Sequence, residues 1–345
     1  MYDLFFIGAS LVLSELCYFR VARRFRILDK PNARSSHQQV TLRGGGIIFL
    51  LGIWFYTFFY GCPYPWFLTG LTGIAAISFT DDIRPVSYKT RMIVHFSVLL
   101  LIFYQWEIFP SCGGWYILPV WILCTGIINA YNFMDGINGM TGGYSLAVLL
   151  PLTWVNRETP FIDPHLIEVA ILSTLVFCFF NFRTKAICFA GDVGSISMAY
   201  IVLFILGRLI WQSKQGWYLI FLAVYSVDSV LTICHRLLLH ENIFQPHRKH
   251  LYQLMANELK IRHVVVASVY TILQLALSAG AVFLPVDRWI YGGGVIILLS
   301  AGYILFKRKY YPLHEASLRL PLPPPPGVYA GGHEGKHEPP TALIP

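Results

Sequence analysis

Residues Asn129 to Gly143 read N-A-Y-N-F-M-D-G-I-N-G-M-T-G-G and lie between two long apolar runs. If the stretch starts as a helix, Asn129, Asn132, Asp135 and Asn138 recur every third residue and fall near one face, because side chains three or four apart are helical neighbours. Carboxamides and a carboxylate at a membrane boundary require a water-filled cavity, a ligand or a metal, so the ladder marks a functional site.

The flanks make this a membrane reading. Of the 345 residues, 56% are hydrophobic and only 13% are charged, whereas soluble domains carry about a quarter charged residues. Apolar runs occur at about 4–19, 44–60, 66–79, 92–106, 115–128, 141–155, 165–181, 195–211, 217–234, 264–284 and 289–306. They predict an all-α polytopic transmembrane bundle of about eleven spans. Seven cysteines are scattered without a C-x-x-C pair, which excludes a zinc or redox framework and leaves mostly small apolar residues. Cys62 and Cys112 both fall in expected outward loops, where a disulfide is open to them.

Charge orients the bundle. No Lys or Arg precedes the first run, while seven follow it by Arg43, so it reads as a retained span with the N-terminus outside. An odd number of spans then puts the C-terminus inside, and the inward segments hold 22 of the 26 Lys and Arg. The one inward segment with no basic residue is the Asn129 stretch, and a segment kept inside for chemistry needs no topogenic charge. The chain divides into a membrane-embedded domain, 1–309, and a tail, 310–345, with P-L-P-P-P-P from Pro321. That tail is expected to be disordered and cytoplasmic. His333 and His337 within it read as solvated residues, not metal ligands.

Other inward loops carry reactive groups. Asp81 and Asp82 end a span in F-T-D-D-I-R-P; adjacent carboxylates repel, which suits a divalent metal or a proton-accepting base. The plain alternative is an acidic turn balanced by Arg84, Lys89 and Arg91. Asp192, between Gly191 and Gly194 in A-G-D-V-G-S, puts a carboxylate at the apex of a tight turn, fit for Mg²⁺. Ser195 reads as a helix cap. His247, Arg248, Lys249 and His250 place four donors within one turn, suited to a diphosphate, with membrane-surface charge as the plain alternative. The triglycine after Arg43, at a helix start, would let backbone approach a phosphate.

In this order, Asp81-Asp82, N-A-Y-N-F-M-D-G-I-N-G, A-G-D-V-G-S and H-R-K-H resemble the polyprenyl-phosphate N-acetylhexosamine-1-phosphate transferases, over about residues 20–306. The first loop, D-K-P-N-A-R-S-S-H to R-G-G-G, looks most like the branch that initiates O-antigen and cell-wall polymers. Arg248 stands where the peptidoglycan branch has a triple-His wording. Val40 and Leu42 replace prolines common in related loops, and Ala190 a frequent Met.

The resemblance implies a Mg²⁺-dependent enzyme, with Mn²⁺ as a substitute, in the bacterial inner membrane with its active site on the cytoplasmic face. It would transfer an N-acetylhexosamine 1-phosphate from a UDP-sugar to undecaprenyl phosphate and release UMP. By the same resemblance Asp81, Asp82 and Asp192 are catalytic and Asn132 with Asp192 holds the metal. Asn129, Asp135 and Asn138 face the nucleotide sugar, and Arg91, His247, Arg248 and His250 neutralise phosphate. The partners are the two substrates and the bilayer, with no nucleic acid, and a homodimer is left open. A phospho-MurNAc-pentapeptide transferase and, further off, a secondary transporter of an anionic metabolite are the alternatives. The sequence does not choose the sugar.

Overall fold

The computed structural model describes residues 2–31, 36, 39–111, 114–243, 245 and 247–319; Cys112, His333 and His337 fall outside them. Among the described residues eleven helices have 14 residues or more. They are α1 (Tyr2–Phe25), α2 (Ile47–Tyr60), α3 (Pro65–Ile83), α4 (Tyr88–Gln105), α5 (Ile117–Met134), α6 (Met140–Glu158), α7 (Pro164–Asn181), α8 (Gly191–Ser213), α9 (Ala223–Leu238), α10 (His263–Phe283) and α11 (Arg288–Arg319). Among the described residues the only strands are a two-residue pair, β1 (Leu28–Asp29) with β2 (Thr41–Leu42), and Leu42 also bridges to Cys188. In lipid every backbone polar group must be satisfied within the chain, which is why such apolar runs fold as helices.

Among the described residues seven helical segments are long and apolar enough to cross a membrane: Tyr2–Phe25, Gly114–Met134, Pro164–Asn181, Gly191–Ser213, Gly216–Leu238, His263–Phe283 and Arg288–Ala316. The other four of the eleven expected runs form helices of different character. Helix α2 has 14 residues, about 21 Å at 1.5 Å per residue, against a hydrocarbon core of about 30 Å. Helices α3 and α4 reach past their apolar runs to include Asp81-Asp82 and Lys89 with Arg91, and α6 starts at Met140 with Thr141–Gly143 in its first turn; these ends build the site. Helix α11 continues to Arg319, past the boundary expected at residue 309.

The centre of the bundle is α8, which packs against α2, α3, α5 and α6. Its span window is 83% buried, against 11% for α11. Close packing at its start depends on glycine: a Cβ on Gly46 would lie 2.2 Å from Gly194 Cα. Further down, Gln274 of α10 satisfies the break before α9. It accepts from Tyr144 Oη at 2.9 Å and Val224 N at 3.1 Å, and donates to Ile220 O at 3.1 Å.

Candidate active site

The segments around residues 29–46, 81–91, 132–141, 181–195 and 250–263 meet at helix ends. The Asn129 stretch is helical only to Met134; Asp135 is the helix C-cap, and Gly139, at φ +84°, leads into α6. Asn129 and Asn132 therefore lie on the helix, while Asp135 and Asn138 lie on the turn, which corrects the single helical ladder expected from the spacing. Asp135 turns the chain out of the helix, and Gly139, in the left-handed region, starts the next one.

Asp192 opens α8. Asn132 Nδ2 donates to Asp192 Oδ1 at 3.1 Å and to Ser195 Oγ at 3.0 Å, and Ser195 in turn donates to Gly191 O at 3.1 Å. With both acceptors on its nitrogen, the Asn132 carboxamide is fixed in one sense and its Oδ1 is left for another partner. Ser195 thus orients Asn132, in place of the helix-cap role expected from sequence. Arg43 Nη2 stands 3.7 Å from Asp192 Oδ1 and Arg91 Nη1 3.8 Å from Oδ2.

The two carboxylates of α3 have parted roles. The Asp82 side chain is fully buried and accepts Arg43 Nε at 2.6 Å, Asp192 N at 2.9 Å and Val193 N at 3.0 Å. It satisfies two of the orphan amides at the start of α8. Gly191, at φ +71°, makes room, since a Cβ there would come within 2.5 Å of Asp82 Oδ2. Asp82 is therefore a support for Asp192, holding the start of α8 through its amides and Arg43. Asp81 accepts Arg91 Nη1 at 2.6 Å and Val86 N at 2.7 Å, with Asp192 beside it.

A cavity of about 280 Å³ opens on this cluster, lined by Arg43, Asn132, Asp135, Asn138, Asp192 and Gln253 among others. Asp135 accepts Thr141 Oγ1 at 2.5 Å, and burial pushes its carboxyl up to about 7, with Asp192 and Asp82 adding to the shift. Asn138 donates to Arg183 O at 2.9 Å, so its amide nitrogen ties a neighbouring loop, while its buried Oδ1 lacks a partner among the described residues. Asn129 is half-buried and does not line the cavity.

The triglycine does not cradle a phosphate. Gly45 N donates to Phe189 O at 2.9 Å and Gly46 N to Ala190 O at 3.1 Å, so those amides are already used. Glycine serves close packing here, and Arg43 is the residue the motif delivers to the cavity.

The H-R-K-H turn is also divided. His250 is buried with Nδ1 3.2 Å from Asp228 Oδ1, and Lys249 pairs with Glu241. Arg236 braces the loop through Asn242 O, Ile243 O and Gln245 O. Burial and the neighbouring His250 and Arg236 push His247 down to about 3, so it is neutral at pH 7. Of the four donors expected on a diphosphate, Arg248 lines a second compartment of about 520 Å³ with Asn257, Lys260, Arg262 and His263. Sequence reasoning missed Asp228, Gln253, Tyr252 and Asn181; the signal for Asp228 is a carboxylate inside an apolar run.

Among the described residues no three His, Cys, Asp or Glu side chains form a metal cage. The donor set nevertheless fits a hard divalent cation, which takes one or two protein oxygens and fills its other positions with phosphate oxygens and water. The Asp192 carboxylate and the outward-turned Asn132 Oδ1 supply such oxygens.

A family model described as glycosyl transferase family 4 matches residues 64–209, which hold Asp81, Asp82, Arg91, Asn132 and Asp192 but not Arg43 or the H-R-K-H turn. The chain is 26% identical over 295 residues to a probable undecaprenyl-phosphate N-acetylglucosaminyl 1-phosphate transferase of Bacillus subtilis (strain 168), covering 77% of this chain and 81% of that protein. It is 28% identical over 268 residues to the undecaprenyl-phosphate alpha-N-acetylglucosaminyl 1-phosphate transferase of Escherichia coli (strain K12), covering 68% and 71%. A similarly named protein of Thermotoga maritima is 26% identical over 249 residues.

Proposed function

Because the chain belongs to the polyprenyl-phosphate hexosamine-1-phosphate transferases of glycosyl transferase family 4, we propose that it acts on a UDP-N-acetylhexosamine at the cytoplasmic face of the bacterial inner membrane. It transfers an N-acetylhexosamine 1-phosphate to undecaprenyl phosphate. An oxygen of the lipid phosphate attacks the sugar-bearing phosphorus, the bond to the bridging oxygen breaks, and UMP leaves with that oxygen. The products are UMP and undecaprenyl-diphosphate-sugar.

The observation that supports this reading is the convergence of Asp192, Asn132 and Arg43 on one small polar cavity at the ends of apolar helices, with Arg91 3.8 Å from Asp192 Oδ2. Phosphoryl transfer needs little from the protein beyond positioning and charge stabilisation, and this cluster offers both signs of charge. Asn132 and Asp192 would hold Mg²⁺, which supplies charge neutralisation on the diphosphate oxygens. Arg43 and Arg91 spread the remaining negative charge. Asp81, already held by Arg91, orients the lipid phosphate and accepts its last proton. Asp82 keeps Asp192 in place. Asp135 and Asn138 form the nucleotide wall with Asn129 behind it, and Arg248 meets phosphate from the other side. His247 and His250 shape that loop. The polar groups gather at helix ends, whereas a transporter concentrates them near the midplane.

The sugar is settled by offering purified protein undecaprenyl phosphate, Mg²⁺ and a panel of UDP-sugars, with UMP release as the readout. UDP-GlcNAc is the first expected substrate, UDP-GalNAc the second. Failure of every sugar in the panel to release UMP overturns the reading.

A further inference from the structure

Asp228 lies in α9, within the apolar segment Gly216–Leu238, and is buried. A carboxylate at such depth is expensive unless its oxygens are used. Here they are: Oδ1 accepts from Leu251 N at 3.1 Å and Thr232 Oγ1 at 3.2 Å and meets His250 Nδ1 at 3.2 Å, while Oδ2 accepts from Tyr270 Oη at 2.6 Å. Leu251 begins a single helical turn, Leu251–Gln253, with His250 as its N-cap and Gln253 Oε1 accepting from His250 N at 3.2 Å.

That turn carries two residues toward the candidate site. Gln253 lines the cavity that holds Asp192. Tyr252 Oη donates to Phe133 O at 2.9 Å, one of the last carbonyls of α5, which otherwise lack intrahelical partners. Its hydroxyl also fits against Gly136, where a Cβ would lie 2.1 Å away. Asn132 and Asp135 flank the carbonyl and glycine that Tyr252 touches.

We propose that Asp228 is a positioning residue for this site: through Leu251 N, His250 and Tyr252 it sets the end of α5 and hence the wall made by Asn132 and Asp135. The inference rests on the transferase reading, and it assigns to a carboxylate remote from the cavity a role in donor binding. The same carboxylate ties the turn to α11, because Thr232 Oγ1 is 2.8 Å from Tyr303 Oη, and Lys307 donates to Lys249 O at 3.2 Å.

The test is a thermodynamic cycle on the purified full-length protein. Asp228→Asn keeps the shape but cannot accept from all four donors, and Tyr252→Phe removes only the hydroxyl. Asp228→Asn is expected to raise the KM for the UDP-sugar roughly tenfold, as loss of a charge-assisted hydrogen bond does, with the KM for undecaprenyl phosphate within about twofold. Tyr252→Phe should raise the same KM, and the double variant should be no worse than Asp228→Asn alone, since one path carries both effects. Multiplying effects, equal rises in both KM values, or unchanged kinetics overturn the inference. If Asp228→Asn does not fold, Tyr270→Phe removes one donor and leaves the carboxylate, and must show the same selective rise to a smaller degree. A wild-type protein that releases no UMP instead fails the transferase reading itself, which separates the two outcomes.

Discussion

The backbone amide of Asp192 donates to Asp82 Oδ1 at 2.9 Å, so one of the two carboxylates holds the other in place. Asp82 also accepts Val193 N and Arg43 Nε, and none of its side chain is exposed. Asp192, by contrast, faces the cavity.

The first prediction separates their roles. Asp82→Asn removes the charge that three donors share and is expected to cost about 3 kcal/mol of stability, in the range for breaking a buried ion pair. Thermal unfolding in detergent should show a clear fall in midpoint along with lost activity. Asp192→Asn should lose activity with a midpoint close to wild type. Equal unfolding behaviour for the two variants would contradict the division.

Glycine carries the second. Gly46→Ala would drive a methyl group to 2.2 Å from Gly194 Cα, a backbone clash that no rotamer relieves, so little folded protein is expected. Gly126→Ala is the control: nothing lies within 4 Å of the added Cβ, and alanine is the better helix former. Its unfolding midpoint should equal or exceed wild type, as read by fluorescence-monitored melting.

Ser195 supplies the third. Its hydroxyl accepts one of the two hydrogen bonds that fix the Asn132 carboxamide. Ser195→Ala should raise the Mg²⁺ concentration needed for half-maximal UMP release at least tenfold, as changes to groups that orient metal ligands do, with maximal activity at saturating Mg²⁺ largely kept. An unchanged Mg²⁺ titration would show that Ser195 does not act through Asn132.

Asp135 gives a pH prediction. Burial raises its carboxyl from 3.8 to about 7, so the folded protein binds its proton more tightly than the unfolded chain. The stability from that neutral carboxyl is complete below about pH 4 and is lost as the pH rises through 7. In metal-free buffer Asp135→Asn, which stays neutral, should flatten the fall of the unfolding midpoint between pH 5 and 8. Parallel curves for wild type and variant would contradict it.

Much of this was legible in the sequence because the signals were local. Apolar runs located eleven helices, and the carboxylates and carboxamides between them marked the residues that meet at Asp192. What stayed hidden depends on pairing across the fold. Nothing in H-R-K-H announces that His250 turns inward to Asp228, 22 residues earlier. R-G-G-G suggested phosphate binding, yet its amides serve Phe189 and Ala190. The even spacing of Asn129 through Asn138 hid the turn that begins at Asp135, where the helix ends at Met134. Adjacent Asp81 and Asp82 looked alike because their difference lies in what the other helices bring to them.

The central claim, that Asp192 at the start of α8 is the pivot of a phosphoglycosyl-transfer site, is tested most directly by one assay. Purified wild-type protein and Asp192→Asn are given undecaprenyl phosphate, Mg²⁺ and radiolabelled UDP-GlcNAc, and released UMP is counted. The account predicts Mg²⁺-dependent UMP release from the wild type and a loss of at least about a hundredfold in a variant that still folds, the scale of removing one preorganised charge from a transfer site. Undiminished release from Asp192→Asn would contradict it.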